Sequence, residues 1–394
     1  MTIRIEEYVF GVDLRLFRKS RIFEREQISR TILNFKWTNH IPMGCEKSGK
    51  GHQEDINALD IDDGDQMLIL GSGNGSVTVT NYKYLGRSKW KKPISLNLEK
   101  HALKSIKWCP LDLRKFMVTT ASNWMRLCDT NKQKVISGKK FEGDVQFHWN
   151  EYQTTNSKVA VADGSRSMKI VDFRIGMSLP SITRWDDVPI DVVQWYPSKH
   201  HYVYVGRRDG KVGIFDIRSA RGVLAEKRIH SGEVPMFGMK ITSDGRHLIT
   251  ADRSGLIHVA DTWNFKTKSE FRGNPNLLTH RRPSLEIMEL HKDIYVATNF
   301  EKLTVVKFSE DSNRVEFREM KQKVLADKAM IWRPSSYELI TGHHYNYLNI
   351  LSDKREEDEE DDNLIIWHRA SCFRNETLNR VANLQTRNAS ETGK

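Results

Sequence analysis

The chain has 394 residues, enough for one large repeat domain or two ordinary ones, and 38% of them are hydrophobic against 29% charged. Its formal net charge of +11 points to acidic partners, nucleic acid among them. Cys45, Cys109, Cys128 and Cys372 form no CxxC pair, which argues against a disulfide framework or a zinc site and for a reducing compartment. No apolar run has the length of a membrane span, and the acid-bearing stretch Met1–Glu7 lacks the apolar core of a signal peptide.

Residues 1–28 read as a basic, amphipathic helix-loop-helix. Ile5, Val9 and Phe10 fall near one helical face, Gly11 interrupts it, and Asp13 can cap a second helix. Leu14, Leu16, Phe17 and Phe23 follow among Arg15, Arg18, Lys19, Arg21 and Arg25, a pattern suited to insertion into a partner's groove. Thr31–Trp37 has strand composition, and Pro42–Gly51 reads as a linker.

A repeat then begins. One position closing a β-run is apolar or aromatic each time: Ile61, Trp108, Trp149, Trp195, Ile241, Ile287 and Trp332. Steps of roughly 41 to 47 residues match the period of four-stranded propeller blades. Pro110, Pro197 and Pro334 follow three of the tryptophans and end the strands, because proline has no amide to give the ladder. A second lattice closes another run in four units, at Cys128-Asp129, Val171-Asp172, Phe215-Asp216 and Ala260-Asp261. These phrases resemble the Trp-Asp dipeptide of WD40 repeats with the tryptophan replaced. The Gly-His signature survives as Gly51-His52 and in part as His101 and His230, whereas Trp185-Asp186 falls out of register.

Seven positions in phase predict an all-β, seven-bladed WD40 β-propeller over residues 29–355, with the N-terminal helix-loop-helix arm before it. The strand at Thr31–Trp37 is free to complete the last blade near Tyr347–Leu351 and so remove an exposed edge; Leu364–Trp367 is its rival. Phe271–Ser284, with the basic Thr279-His280-Arg281-Arg282, reads as a long loop in a weak sixth blade. Residues 356–394 open on the acidic run Glu356–Asp362 and continue as a polar, disordered tail.

No catalytic constellation emerges, and no metal set or cofactor is expected. Gly71-Ser72-Gly73-Asn74-Gly75 lies between two β-runs with no helix behind it, so it reads as a hairpin turn and not as a phosphate loop. His343-His344 would point to opposite faces of a strand. The informative stretch is Tyr202–Arg218, in which two apolar runs flank Asp209-Gly210 and end in Phe215-Asp216-Ile217-Arg218. Among the four strand-end phrases, only this one and Val171-Asp172-Phe173-Arg174 carry an arginine two residues after the aspartate. Such an arginine projects from one rim of the ring and can make bidentate contacts.

Several phrases, in order, are similar to those of the Cockayne syndrome group A family of WD40 substrate receptors over roughly residues 10–355. They are Asp13-Leu14-Arg15-Leu16, Asp55–Ile61, Val192–Pro197, Phe215–Gly222 and Thr242–Leu248. The resemblance implies docking on damaged-DNA-binding protein 1, the adaptor of a cullin-4 RING ubiquitin ligase, through a helix-loop-helix and a Trp-Asp-x-Arg box. The arm would contribute Phe10, Leu14 and Phe17, and the box Phe215, Asp216 and Arg218, with Arg174 from a second box. Phe215 stands in place of the box's tryptophan, and Arg207 where a small residue is preferred. The resemblance further implies a non-catalytic nuclear role in transcription-coupled nucleotide excision repair, with the Cockayne syndrome group B protein and RNA polymerase II. Direct DNA-damage binding needs an apolar wedge on a basic face. None is evident in the sequence, so at most weak direct nucleic-acid binding is expected.

Overall fold

A computed structural model of the chain describes residues 36–42, 55–85, 94–98, 100–150, 158–172, 178–184, 187–219, 222–231, 234–273, 283–290, 292–299, 303–309, 315–319, 329–333, 336–342 and 347–352. The arm, Gly51-His52, Trp185-Asp186, the Thr279–Arg282 stretch, His343-His344, Leu364–Trp367 and the acidic run lie outside them.

The described strands form seven four-stranded antiparallel sheets. Blade one runs in sequence order from the channel outward: Ile56–Ile61, Met67–Ser72, Ser76–Asn81 and Ile94–Asn97. Blades two to six repeat this order. Blade seven takes Ala329–Arg333, Glu338–Gly342 and Tyr347–Ser352 from the end of the chain and its outermost strand, Lys36–Pro42, from the beginning.

The expected closure by an N-terminal strand is therefore present. The described strand shares Lys36 and Trp37 with the anticipated Thr31–Trp37, whose first five residues lie outside the described ones, and it extends to Pro42, which pairs with Tyr347 and is not in a linker. An outermost strand tolerates this sequence, since a proline there removes no bond that a further strand would need.

Each blade is apolar on both faces, and each face is buried against a neighbour. Seven apolar clusters result, each formed between two consecutive blades. The tryptophans of the first lattice fill them: Trp108, Trp149, Trp195 and Trp332 are all buried at the end of an innermost strand. Blade six keeps the expected lattice position but runs its strand further. Its innermost strand is Leu285–Leu290; Ile287 packs against the cluster shared with blade five, as the other lattice residues pack against their preceding blades, and Leu290 packs with Trp332 and Leu339 of blade seven. Phe271 and Arg272, expected in a loop, complete the outermost strand of blade five, Thr267–Arg272.

The seam between blades seven and one is built from side chains at both ends of the ring. The Tyr82 hydroxyl donates to Glu338 at 2.8 Å, Arg333 donates to the same carboxylate at 2.9 Å, and the Arg333 guanidinium lies 4.0 Å from the centre of the Tyr82 ring. Arg333 also donates to the Asp65 carbonyl of blade one. On the other side of the seam Gly342 meets Ile56; a Cβ at position 342 would lie 2.6 Å from Ile56 Cγ2. A branched side chain cannot enter without separating the blades. Gly342→Val is expected to destabilise the ring by about 1–3 kcal/mol, the usual range for overpacking. Chemical denaturation checks this, and an unchanged midpoint would mean that the seam is loose.

Candidate protein-interaction surface

In a radial stack of antiparallel blades the first and third strands of every blade run in the same sense. The first-to-second turns and the third-to-fourth turns therefore share one face of the ring. Tyr196, after the innermost strand of blade four, bonds the Gly245 carbonyl in the first turn of blade five, and Tyr204 bonds the Thr262 carbonyl in that blade's third turn. These contacts hold the turns of adjacent blades in fixed relation.

The four third strands of the second lattice end at Asp129, Asp172, Asp216 and Asp261, as the sequence predicts. Three of these carboxylates cap the turn that follows. Asp129 accepts from the Asn131 and Lys132 amides, Asp216 from Arg218, and Asp261 from Trp263 and Asn264.

At blade four the cap does more than close a turn. Asp216 also accepts from Arg218 Nε at 3.0 Å and Nη2 at 2.7 Å, a bidentate fork. The Arg218 guanidinium holds the Asp216 carboxyl below the usual carboxylate range. The Arg218 side chain is nonetheless 64% exposed, so it is oriented by its partner while still facing outward. Phe215 is 1% exposed and belongs to the cluster between blades three and four, with Trp195 and Val203. It anchors the strand end and offers no surface of its own. Arg207 is buried and bonded to Asp209 at the opposite end of the hairpin. Phe10, Leu14, Phe17 and Arg174 lie outside the described residues.

Beside Arg218, the next blade presents Trp263, a large apolar side chain that is 41% exposed. Its ring centre lies 5.4 Å from those of both Tyr196 and Tyr202, and Lys199 Nζ is 4.7 Å from it. A tryptophan supported from behind by tyrosines and flanked by cations has the composition of an interface hot spot. Sequence reasoning missed it, although the signal was present: Trp263 follows Asp261 at the same offset at which Arg218 follows Asp216.

The degenerate Gly-His signature also has a structural explanation. His230 Nδ1 donates to Asp252 and its Nε2 meets Thr250, both at 2.8 Å, in full burial. Burial alone would raise the Asp252 carboxyl, but bonds from His230 and Ser254 outweigh it and lower it. In blade three Lys169 holds Asp163 in the histidine's place, and in blade four Arg207 holds Asp209.

The channel wall carries Asp60–Lys107 at 2.7 Å, Lys240–Glu286 at 3.0 Å and His148–Gln194 at 2.9 Å. At its mouth is a cavity of about 140 Å³ whose lining includes Asp60, Lys107, His148 and Lys240. No group of three or more potential metal ligands occurs among the described residues. The glycine-rich stretch Gly71–Gly75 is the turn between strands Met67–Ser72 and Ser76–Asn81.

No protein-family model matches the chain. It is 25% identical over 261 residues to "WD repeat-containing protein ATCSA-1" of Arabidopsis thaliana, a match covering 60% of this chain and 55% of that protein. The chain thus spans about half the length of that curated relative. Among solved structures it superposes on the Cps50 (Swd1) β-propeller domain of Myceliophteria thermophila with a TM-score of 0.60 and 15% identity, covering 81% of this chain and 99% of that domain. The fold is a seven-bladed propeller of the WD-repeat kind. Propellers of this kind generally serve as scaffolds for protein interaction.

His148 supplies a pH prediction. Burial, followed by the nearby Lys240 and Lys107, pushes its imidazole down to about 3 from an ordinary value of 6.5. Between those values the unfolded chain binds a proton that the folded chain refuses, so the contribution of His148 to stability is present above pH 6.5 and is lost as the pH falls. Urea melts at pH 7 and pH 5 are expected to show a smaller acid-induced loss in His148→Gln than in the wild type. Equal losses would mean that the imidazole takes up its proton in the folded channel.

Proposed function

We propose that the protein is a non-catalytic substrate receptor that docks on damaged-DNA-binding protein 1, the adaptor of a cullin-4 RING ubiquitin ligase. The observation that carries this reading is the Arg218 fork: the arginine that ends the candidate box is fixed by Asp216 and directed outward on the rim. The resemblance of the phrases around it to the Cockayne syndrome group A family supports the same reading, as does the match to a curated WD-repeat relative. In this mechanism Phe10, Leu14 and Phe17 of the arm bury apolar area in the adaptor, while Arg218 and Arg174 orient the ring against it. Each aromatic anchor contributes about 2 kcal/mol or more to such an interface. The opposite face of the ring holds the substrate near the ligase. The resemblance alone supports the wider setting: the nucleus, transcription-coupled nucleotide excision repair, the Cockayne syndrome group B protein and stalled RNA polymerase II.

Binding of purified full-length protein to the adaptor tests the proposal. Leu14→Glu/Phe17→Glu is expected to abolish it with the melting temperature near that of the wild type, and Arg218→Ala to weaken it about tenfold or more, the scale of an interfacial arginine in a charge-assisted contact. Full retention of binding in the double variant would overturn the docking mode. A chain that binds no adaptor in any form would leave only the general scaffold.

A further inference from the structure

Among the described residues, the outermost strand of each blade presents an edge that no further strand covers. Most of these edges are broken or electrically mixed. Pro180 interrupts Ser178–Arg184, and Pro42 ends Lys36–Pro42. Val223–Arg228, Thr267–Arg272 and Val315–Glu319 mix cations with acids, through Glu226, Glu270, Glu316 and Glu319. Ile94–Asn97 has four residues and no charge. Lys134–Lys140 of blade two differs from all of them: it has seven residues, three of them lysine, with no acid and no proline.

Its charge is not neutralised nearby. Lys134, Lys139 and Lys140 form no ion pair among the described residues. In the turn before the strand, Asp129 is buried and accepts the Asn131 and Lys132 amides. Asp112, in another turn of the same blade, is held by Arg114 and Lys115. Beyond the strand's end lie Glu142, which is exposed, and Asp144, which pairs with Lys104. The flanking outermost strands of blades one and three, Ile94–Asn97 and Ser178–Arg184, contain no acid.

The backbone of this edge is available as well. The Phe141 amide donates to the Asn123 carbonyl, and the register then makes Met125–Lys139 and Leu127–Ser137 the hydrogen-bonded pairs. Gly138 and Lys140 therefore turn their amides and carbonyls away from the sheet. A bulge between Leu127 and Cys128 leaves Ser137–Lys140 as the regular segment, and Ile136 beside it is 44% exposed.

We propose that this edge docks an extended acidic segment of a partner protein, which joins blade two as a fifth strand. Main-chain bonds to Gly138 and Lys140 hold the segment, its carboxylates pair with Lys134, Lys139 and Lys140, and an apolar residue covers Ile136. The lysines that attract an acidic strand repel the same edge of a second copy, so the charge selects the occupant. This site lies on blade two and not at Arg218 of blade four, and the inference does not rest on the receptor reading.

Fluorescence anisotropy with the full-length chain and a labelled peptide of alternating glutamate and valine tests it. A second peptide, of the same sequence with every amide N-methylated, keeps the charge and cannot donate to a ladder. The first peptide is expected to bind, and the N-methylated one to bind about tenfold more weakly or worse. Lys134→Gln/Lys139→Gln/Lys140→Gln is expected to weaken binding of the first peptide about tenfold, with a melting temperature near that of the wild type. The proposal is overturned by no binding of the first peptide, by equal binding of both peptides, or by undiminished binding in the triple variant. It is equally overturned if single-stranded oligothymidylate displaces the peptide at matched concentration, which would make the edge a nucleic-acid surface, or if the peptide dissociates a dimer of the chain, which would make a second copy the occupant.

Discussion

The ring depends on one constraint: its first and last strands must come from opposite ends of the described chain and still complete a single sheet. A four-stranded sheet that buries both faces has no stable existence alone, so an unclosed stack would expose two apolar faces at its ends. Pairing of Lys36–Pro42 with Tyr347–Ser352 completes the last blade, and the contacts of Ile56, Ile331 and Ile340 complete the seventh apolar cluster. The Tyr82–Glu338–Arg333 network then joins the turns across the same seam. Among the described residues, the other six apolar clusters join blades consecutive in sequence, and this one joins the first blade to the last.

The repeats are degenerate in letters and regular in physical role. What is kept is a carboxylate where a strand meets a turn and a donor to hold it. His230, Lys169 and Arg207 come from different positions yet each satisfies the aspartate of its turn. The same economy operates on the other face, where two backbone amides bond one oxygen of Asp129, while Arg218 adds its guanidinium to its own amide at Asp216. The patch at blades four and five is thus a set of side chains on turns whose geometry is already fixed by the fold. Arg218 is oriented before any partner arrives, which reduces the ordering that binding requires.

Much of this was legible in the sequence, and the failures have physical causes. Tryptophan and aspartate mark strand ends because their roles, filling an interface and capping a turn, tolerate few substitutes. Blade six lacks both marks: Ile287 holds the lattice position against blade five, but its strand runs three residues further, to Leu290, and no tryptophan or aspartate marks that end. The closing strand was ended too early because Asn39, His40 and Pro42 have the composition of a loop; on an outermost strand that composition is permitted. The positions of Asp216 and Arg218 could be read from their offset, and the same offset from Asp261 marks Trp263, but the burial of Phe215 and the tyrosines that support Trp263 could not be read. Both depend on which blade lies beside which, and that information is spread over the whole ring.

Amide hydrogen exchange on the intact chain bears most directly on closure. The account predicts that amides within residues 36–42, together with those of residues 347–352 that bond to them, are protected to a comparable degree and lose protection together as denaturant is added, because residues 36–42 have this ladder alone whereas 347–352 also pair with 338–342. Exchange of residues 36–42 at the rate of an unstructured peptide, with the core of blade seven still protected, would contradict it.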